Sequence, residues 1–440
     1  MEDRESLYSS KLAKMIQCET VSIFNVKQKE KFDNFHEVLR ELFPHVFETC
    51  EVVDIEGSLL FKWSSKSPNG EPVLFMSHQD VVEASGDWKY PPFSGHIEDG
   101  VIWGRGTVDT KGSLFCIFQS IDELIEDGFE PPCDVYIASS CGEEVLGDGA
   151  KQTCQYLKDK GVHLRFVIDE GGMILESPMP GVKGRYAMIG SLEKSTGNYK
   201  FIARGQGGHA SAPPKNTPIE RLAKFIAYYE KHNPTKSKMN DVTAEMFSRL
   251  GKTTPGIMGF LMRHARGFSP LLSYVIPKVN TMGGAMFKTT VAFTTAKGAN
   301  GLNVLPEEAY VTANVRFINH QGPKEMTRIF KEMAKKFDIE VEELNPAGEC
   351  QVVDYNSKEF KLVEEVIREN WNDVIPSPYT LTGGTDARYY APICENVFRF
   401  APLEINQQQL NSVHAIDENI CTYTLPPGVD FYKKVLNKIK

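Results

Sequence analysis

Three short apolar runs in the first half of the chain each end abruptly in side chains that bind metal ions. VLFMSHQD places His78 and Asp80 behind the first run, VYIASSCGEE places Glu143 and Glu144 behind the second, and LRFVIDEGG places Asp169 and Glu170 behind the third. Runs of this length, bounded by polar residues and glycine, are the pattern of strands buried on both faces of a parallel sheet. Ligands of open α/β sheets gather at the carboxyl ends of such strands. Three runs ending in His, Asp and Glu therefore predict a metal site along one sheet edge.

The rest of the chain agrees with an α/β protein of more than one domain. Its 440 residues, 41% hydrophobic, can bury at least one large core. The formal charge is −9, and no Lys/Arg-rich block stands out, which argues against nucleic acid or an anionic membrane as partner. No apolar run reaches the roughly 20 residues needed to span a bilayer. The opening MEDRESLYSSKLAKMIQ is amphipathic rather than a signal peptide. Nine cysteines, an odd number with no CxxC pair, disfavour a disulfide framework. A cytoplasmic, reducing location is expected.

Helical periodicity predicts helices near 5–17, 29–43 and 147–160, and a long helix leaving the Gly-rich loop GRGTVDTKG with Leu114, Phe115, Phe118, Ile121 and Leu124 at helical spacing; strands at 134–140 and 164–168 complete a βαβ rhythm. Near residue 195 the texture changes. NYKFIARG and AYVTANVRFI alternate as one-faced strands, and TPIERLAKFIAYYEKH and PKEMTRIFKEMAKKF read as amphipathic helices. The α/β texture returns after about residue 350. A core formed by 1–194 and 351–440, interrupted by an inserted α+β domain over 195–350, accounts for this order. The stretch 235–300 carries no assignable pattern.

Several residues in these segments suit metal chemistry. Where thiolates are absent, zinc takes imidazole nitrogen and carboxylate oxygen. His78 and Asp80, two apart in an extended segment, share a face, so Asp80 can accept the other ring N–H of His78 and fix its tautomer. Asp109 in GRGTVDTKG sits where a Gly-rich loop enters a helix; it reads either as an N-cap or as a carboxylate bridging two cations. Of two adjacent acids beside a metal, Glu143 and Glu144, one can ligate while the other accepts a proton. DEGG at 169–172 offers a further ligand, and His414 in NSVHAIDE is a lone downstream histidine. His96, His163 and His264 read as ordinary histidines.

Taken in order, SHQDVV, GRGTVDTKG, GEE, DEGG, GGHASAPP, NVLP, GGTDAR and His414 resemble the dizinc aminoacylase/carboxypeptidase family of amidohydrolases. They are most similar to the branch of Gly-X carboxypeptidases and N-acyl-amino-acid hydrolases. The resemblance implies a three-layer zinc-peptidase core with a mostly parallel sheet and an inserted lid domain, through which a homodimer can form. It implies two Zn²⁺ per subunit, with Co²⁺ or Mn²⁺ as alternatives. His78 and Asp169 would hold one ion and Glu144 and His414 the other, with Asp109 bridging. At the DEGG position, spacing from Glu144 favours Asp169 over Glu170. Glu143 would be the general base, Asp80 the orienter of His78, and His209, reaching in from the lid, an oxyanion donor. Thr110 stands where relatives carry a second Asp.

For substrate, Arg316 and Arg388 can grip a terminal carboxylate, and Gly383, Gly384 and Thr385 can offer backbone N–H donors. Asn303 of NVLP joins them through the resemblance. The reading is a zinc hydrolase that releases a C-terminal amino acid from a small peptide or N-blocked amino acid. An aminoacylase, a dipeptidase and a zinc-binding regulator without catalysis are the alternatives.

Overall fold

The computed structural model describes residues 3–24, 26 and 29–439. The three runs that opened the sequence reading become neighbouring strands of a ten-stranded mixed sheet. Strands Val135–Ser139, Val73–Met76, Phe166–Asp169 and Val397–Arg399 lie side by side and parallel, each buried along its whole length. Register places Met76 opposite Ala138 and Phe75 opposite Ile168, so the three carboxyl ends emerge at one edge.

Residue alternation explains how both faces stay dry. Phe75, Ile137 and Ile168 point into one apolar cluster, while Leu74, Met76, Tyr136 and Val167 point into another on the opposite face. The first cluster is closed by helices Arg4–Gln17, Lys111–Glu126 and Leu425–Lys438, with Phe75 edge-on to Tyr432 at 5.1 Å between ring centroids. The second is closed by helix Gly149–Asp159 and the short turn Asp386–Tyr390. Sheet and flanking helices make the expected three-layer α/β core.

A separate antiparallel sheet runs Thr290–Lys297, Glu308–Phe317, Ser195–Arg204, Glu340–Asn345 in spatial order. Helices Pro218–Lys231 and Pro323–Lys335 cover one face, with Phe201 packed against Phe225 and Phe330 at 4.8 and 5.6 Å. Along Glu308–Phe317 buried residues alternate with partly exposed ones, the one-faced pattern read from the sequence.

Apart from strand Thr290–Lys297, the unassigned stretch folds into helices Asp241–Leu250, Gly256–Arg263, Ser269–Val279 and Thr281–Ala285. Their core residues Met246, Phe247, Leu272 and Met286 pack with Tyr186 and Met188 of the large sheet rather than against the small one. These helices thus fall inside 195–350 in sequence but share their core with the large sheet. Among the described residues, no helix is long and apolar enough to cross a membrane.

Candidate metal centre

The site is built on the carboxyl ends of the three parallel strands and closed by two loops. His78 follows Val73–Met76 and is buried; its Nε2 donates to Asp109 Oδ1 at 3.0 Å. Asp109 precedes Thr110, the residue that caps helix Lys111–Glu126. The N-cap reading of Asp109 therefore fails, because the helix begins one residue later. The free carboxylate instead spans two imidazoles, since His414 Nε2 reaches Asp109 Oδ2 and Glu144 Oε2, both at 3.1 Å.

Asp80 does more than the sequence indicated. His78 Nδ1 donates to the Asp80 backbone carbonyl at 2.9 Å, with the carboxylate farther off at 3.5 Å. That carboxylate accepts the backbone N–H of Glu143 at 3.1 Å and of Glu144 at 3.2 Å. One buried Asp thereby fixes both the histidine and the turn that carries the two acids. Gly142, with φ of 96°, permits that turn by adopting a conformation L side chains rarely accept.

The electrostatics are those of a site built for cations. Burial works against charge on His78, yet Asp109 and Asp80 raise its pKa well above the usual value. Hydrogen bonds from His414 and His78 overcome burial and hold Asp109 well below the ordinary carboxylate range. Bonds to Asp109 and Glu144 push His414 up to about 10. Burial raises Glu143 well above its usual value and also raises Glu144.

The donor set fits a metal ion. Ligand atoms of His78, Asp109 and Glu144 lie within 4.8 Å of one another, and Glu144 Oε1 is buried with no hydrogen-bond partner. An orphaned buried carboxylate oxygen is costly unless something positive meets it. A second acid–histidine group, Asp33, His36 and Asp54, is met instead by Lys29, whose ammonium donates to both aspartates.

At the DEGG position the two candidates differ. Asp169 Oδ2 accepts the Ala387 N–H at 2.9 Å, and burial beside Asp386 pushes its pKa up to about 7. Glu170 is raised well above its usual value by burial, then by Asp169 and Asp109, while His78 pulls it down. His78 pulls both acids down, and Glu170 is raised by Asp109 as well.

Two arginines converge beside the centre. A Cβ on Gly384 would lie 3.3 Å from Nη1 of both Arg316 and Arg388, and Arg388 Nη1 is 3.8 Å from Glu143 Oε1. Thr385 is not the open donor expected. Its N–H and hydroxyl are both taken by Glu193, which is itself paired with buried Arg399 at 2.8 Å. Gly383 has open space around it. His209 and Asn303 lie beside one another at the two-stranded antiparallel pair Gly208–His209 with Val304–Leu305, strands brought together from distant parts of the chain, and are exposed. His209 Nδ1 meets Ser211 Oγ at 2.7 Å, and the Asn303 carbonyl accepts the Ala210 N–H at 2.9 Å.

Sequence reasoning missed the supports. Glu418, fully buried, pairs with Arg105 at 2.7 Å and accepts the N–H groups of Val108 and Asp109 at 2.8 and 3.1 Å. Asp386 accepts from the Ser140 hydroxyl. The only signals for either were acids standing in the GGTDAR and HAIDE segments.

Acids and histidines at the ends of buried parallel strands, with a carboxylate between two imidazoles, define a metal-dependent hydrolase. Residues 74–438 match peptidase family M20/M25/M40, and the chain belongs to that family. Among curated proteins it is similar to a probable carboxypeptidase S-like protein 2 of Dictyostelium discoideum, 31% identical over 96% of this chain and 83% of that one. It is likewise similar to the N-fatty-acyl-amino acid synthase/hydrolase PM20D1 of Homo sapiens, 29% identical over 94% of this chain and 84% of that one. Among solved structures it shares its fold with an M20 family metallo-carboxypeptidase of Sulfolobus solfataricus. The TM-score is 0.73 at 17% identity, covering 99% of this chain and 98% of the other.

Proposed function

We propose that this metallohydrolase uses two zinc ions to cleave an amide whose leaving group is an amino acid with a free α-carboxylate. The observation that carries the reading is the pair of guanidinium groups, Arg316 and Arg388, meeting at Gly384, with Arg388 at 3.8 Å from Glu143. Planar forked donors suit a carboxylate, and burial makes their charge count. Burial and the neighbouring Arg388 lower the Arg316 pKa, the cost of two cations converging unless an anion joins them.

Asp109 would bridge the ions, with Glu144 and His414 on one side and His78 on the other. For the remaining ligand we assign Glu170 in place of Asp169, because one oxygen of the Asp169 carboxylate, Oδ2, already accepts the Ala387 N–H. When bound, the ions would polarise the scissile carbonyl and acidify a water. Glu143, held by Asp80 and raised by burial, accepts the proton of the attacking water and returns it to the leaving amine. His209, exposed on its short strand, is assigned to the oxyanion of a neighbouring copy.

Carboxypeptidases and N-acyl-amino-acid hydrolases, the activities named for the two relatives, both release such an amino acid. The test is amino-acid release, with added zinc, from N-blocked Gly-X dipeptides, acyl-amino acids and the α-amides of both. Cleavage of the free acids with the amides spared is expected. Equal cleavage of the amides would remove the role of the arginines, and no release from any substrate would overturn the reading.

A further inference from the structure

The helical stretch that the sequence left unassigned carries an unusual surface. Ile257 and Val279 are 78% and 75% exposed, and Phe260 and Tyr274 are also on the outside. Helix Ser269–Val279 shows Leu271, Val275 and Val279 at four-residue spacing, an exposed apolar stripe. Soluble proteins rarely leave so many large apolar side chains together without a use.

Charge sets this stretch apart. From Met246 to Pro306 the chain has seven Lys and Arg and no Asp or Glu, in a protein of formal charge −9, though buried Arg249 is paired with Glu245 and Glu364 and Arg266 with Glu245. Lys252, Arg263 and Lys278 are exposed, and Lys278 lies over the Tyr274 ring at 3.6 Å. Whole-chain charge averages this asymmetry away, which is why the sequence argued against an anionic surface.

Behind the face lies a cavity of about 250 Å³. Six of its lining residues are methionines, and Met282, on its wall, is 78% exposed. Its lining also includes Gly171 and Gly172, directly after Glu170. The cavity thus adjoins both the exposed helices and the segment that carries Glu170, and its methionines are the most adaptable of apolar side chains.

We infer that the face formed by helices Gly256–Arg263, Ser269–Val279 and Thr281–Ala285 docks on a lipid bilayer bearing anionic headgroups. Apolar residues flanked by cations are what an interfacial helix presents to such a surface. A second copy of the chain fits less well, because a two-fold contact would set the same cations against each other.

The test is co-sedimentation of the whole protein with phosphatidylcholine vesicles and with vesicles of phosphatidylcholine and phosphatidylglycerol in equal parts. The wild type should sediment with the mixed vesicles and much less with the neutral ones. Ile257→Ser/Val279→Ser should weaken sedimentation with the mixed vesicles, and Lys252→Gln and Lys278→Gln should each weaken it about fivefold. These side chains are exposed, and unchanged thermal melts would show that the variants fold. Failure to bind the mixed vesicles, or binding unaffected by the variants, overturns the proposal. A dimer in light scattering that Ile257→Ser/Val279→Ser dissociates, without vesicle binding, also overturns it in favour of a self-interface. Sedimentation needs no turnover, so its failure leaves the hydrolase reading untouched.

Discussion

Glu418 accepts the backbone N–H of Asp109 at 3.1 Å across a sequence separation of 309 residues, while its other oxygen pairs with Arg105 at 2.7 Å. A buried acid near the C-terminus thus holds the loop that presents the carboxylate between His78 and His414. Glu418→Ala would strand Arg105, which is almost fully buried, and free the Asp109 loop. The expected loss is about 3–5 kcal/mol of stability, the usual result of breaking one side of a buried ion pair. Denaturant unfolding and zinc titration should fall together. An unchanged unfolding midpoint would show that the pair is dispensable.

Glu143→Ala should keep zinc, because the residue is assigned to proton transfer rather than to ligation. Turnover should drop by at least about a hundredfold, the lower range for losing a general base. Metal content by atomic emission and single-substrate kinetics check the two halves. Near-normal turnover would remove Glu143 from the mechanism.

The DEGG pair separates cleanly by stoichiometry. Glu170→Gln should reduce bound zinc toward one ion per chain, whereas Asp169→Asn should leave both. Asp169→Asn should cost little stability, because the amide oxygen can still accept the Ala387 N–H and the change removes a charge that burial disfavours. The reverse pattern of metal loss would restore Asp169 as the ligand.

If His209 serves a neighbouring copy, two inactive proteins should rescue each other. Mixing His209→Ala with Glu143→Ala under subunit exchange should recover about a quarter of wild-type activity, the share of intact sites in random dimers. No recovery in verified mixed dimers would place His209 in its own subunit's reaction.

The metal-free protein should respond to pH through His414. Its pKa is raised from 6.5 to about 10 by Asp109 and Glu144. A raised pKa stabilises the fold fully below 6.5, and the contribution is lost as pH climbs through about 10. Chelator-treated protein should therefore melt at progressively lower temperature across that window. Half the ring is exposed, so solvent tempers the slope. Zinc-loaded protein should not show this trend, because a ligating imidazole carries no extra proton. Parallel slopes with and without zinc would count against His414 as a ligand.

The sequence by itself determined the parallel core and the edge on which chemistry sits. Uninterrupted apolar runs such as VLFM can be buried only as inner strands, and the polar residues after them must then emerge at one edge. Alternation in AYVTANVRFI marked a one-faced strand for the same local reason. What local pattern could not carry was anything set by contacts between distant segments. Tertiary structure alone decided that Asp80 grips the Glu143–Glu144 turn, that Thr385 is spent on Glu193, and that Arg316 and Arg388 meet at Gly384. It also seated the helices between Asp241 and Ala285 on the large sheet, because helices Gly256–Arg263 and Ser269–Val279 carry apolar side chains on exposed as well as buried faces, which masks their core-facing side in the sequence. Spacing along a chain fixes which face a side chain takes; only packing fixes which partner it meets there.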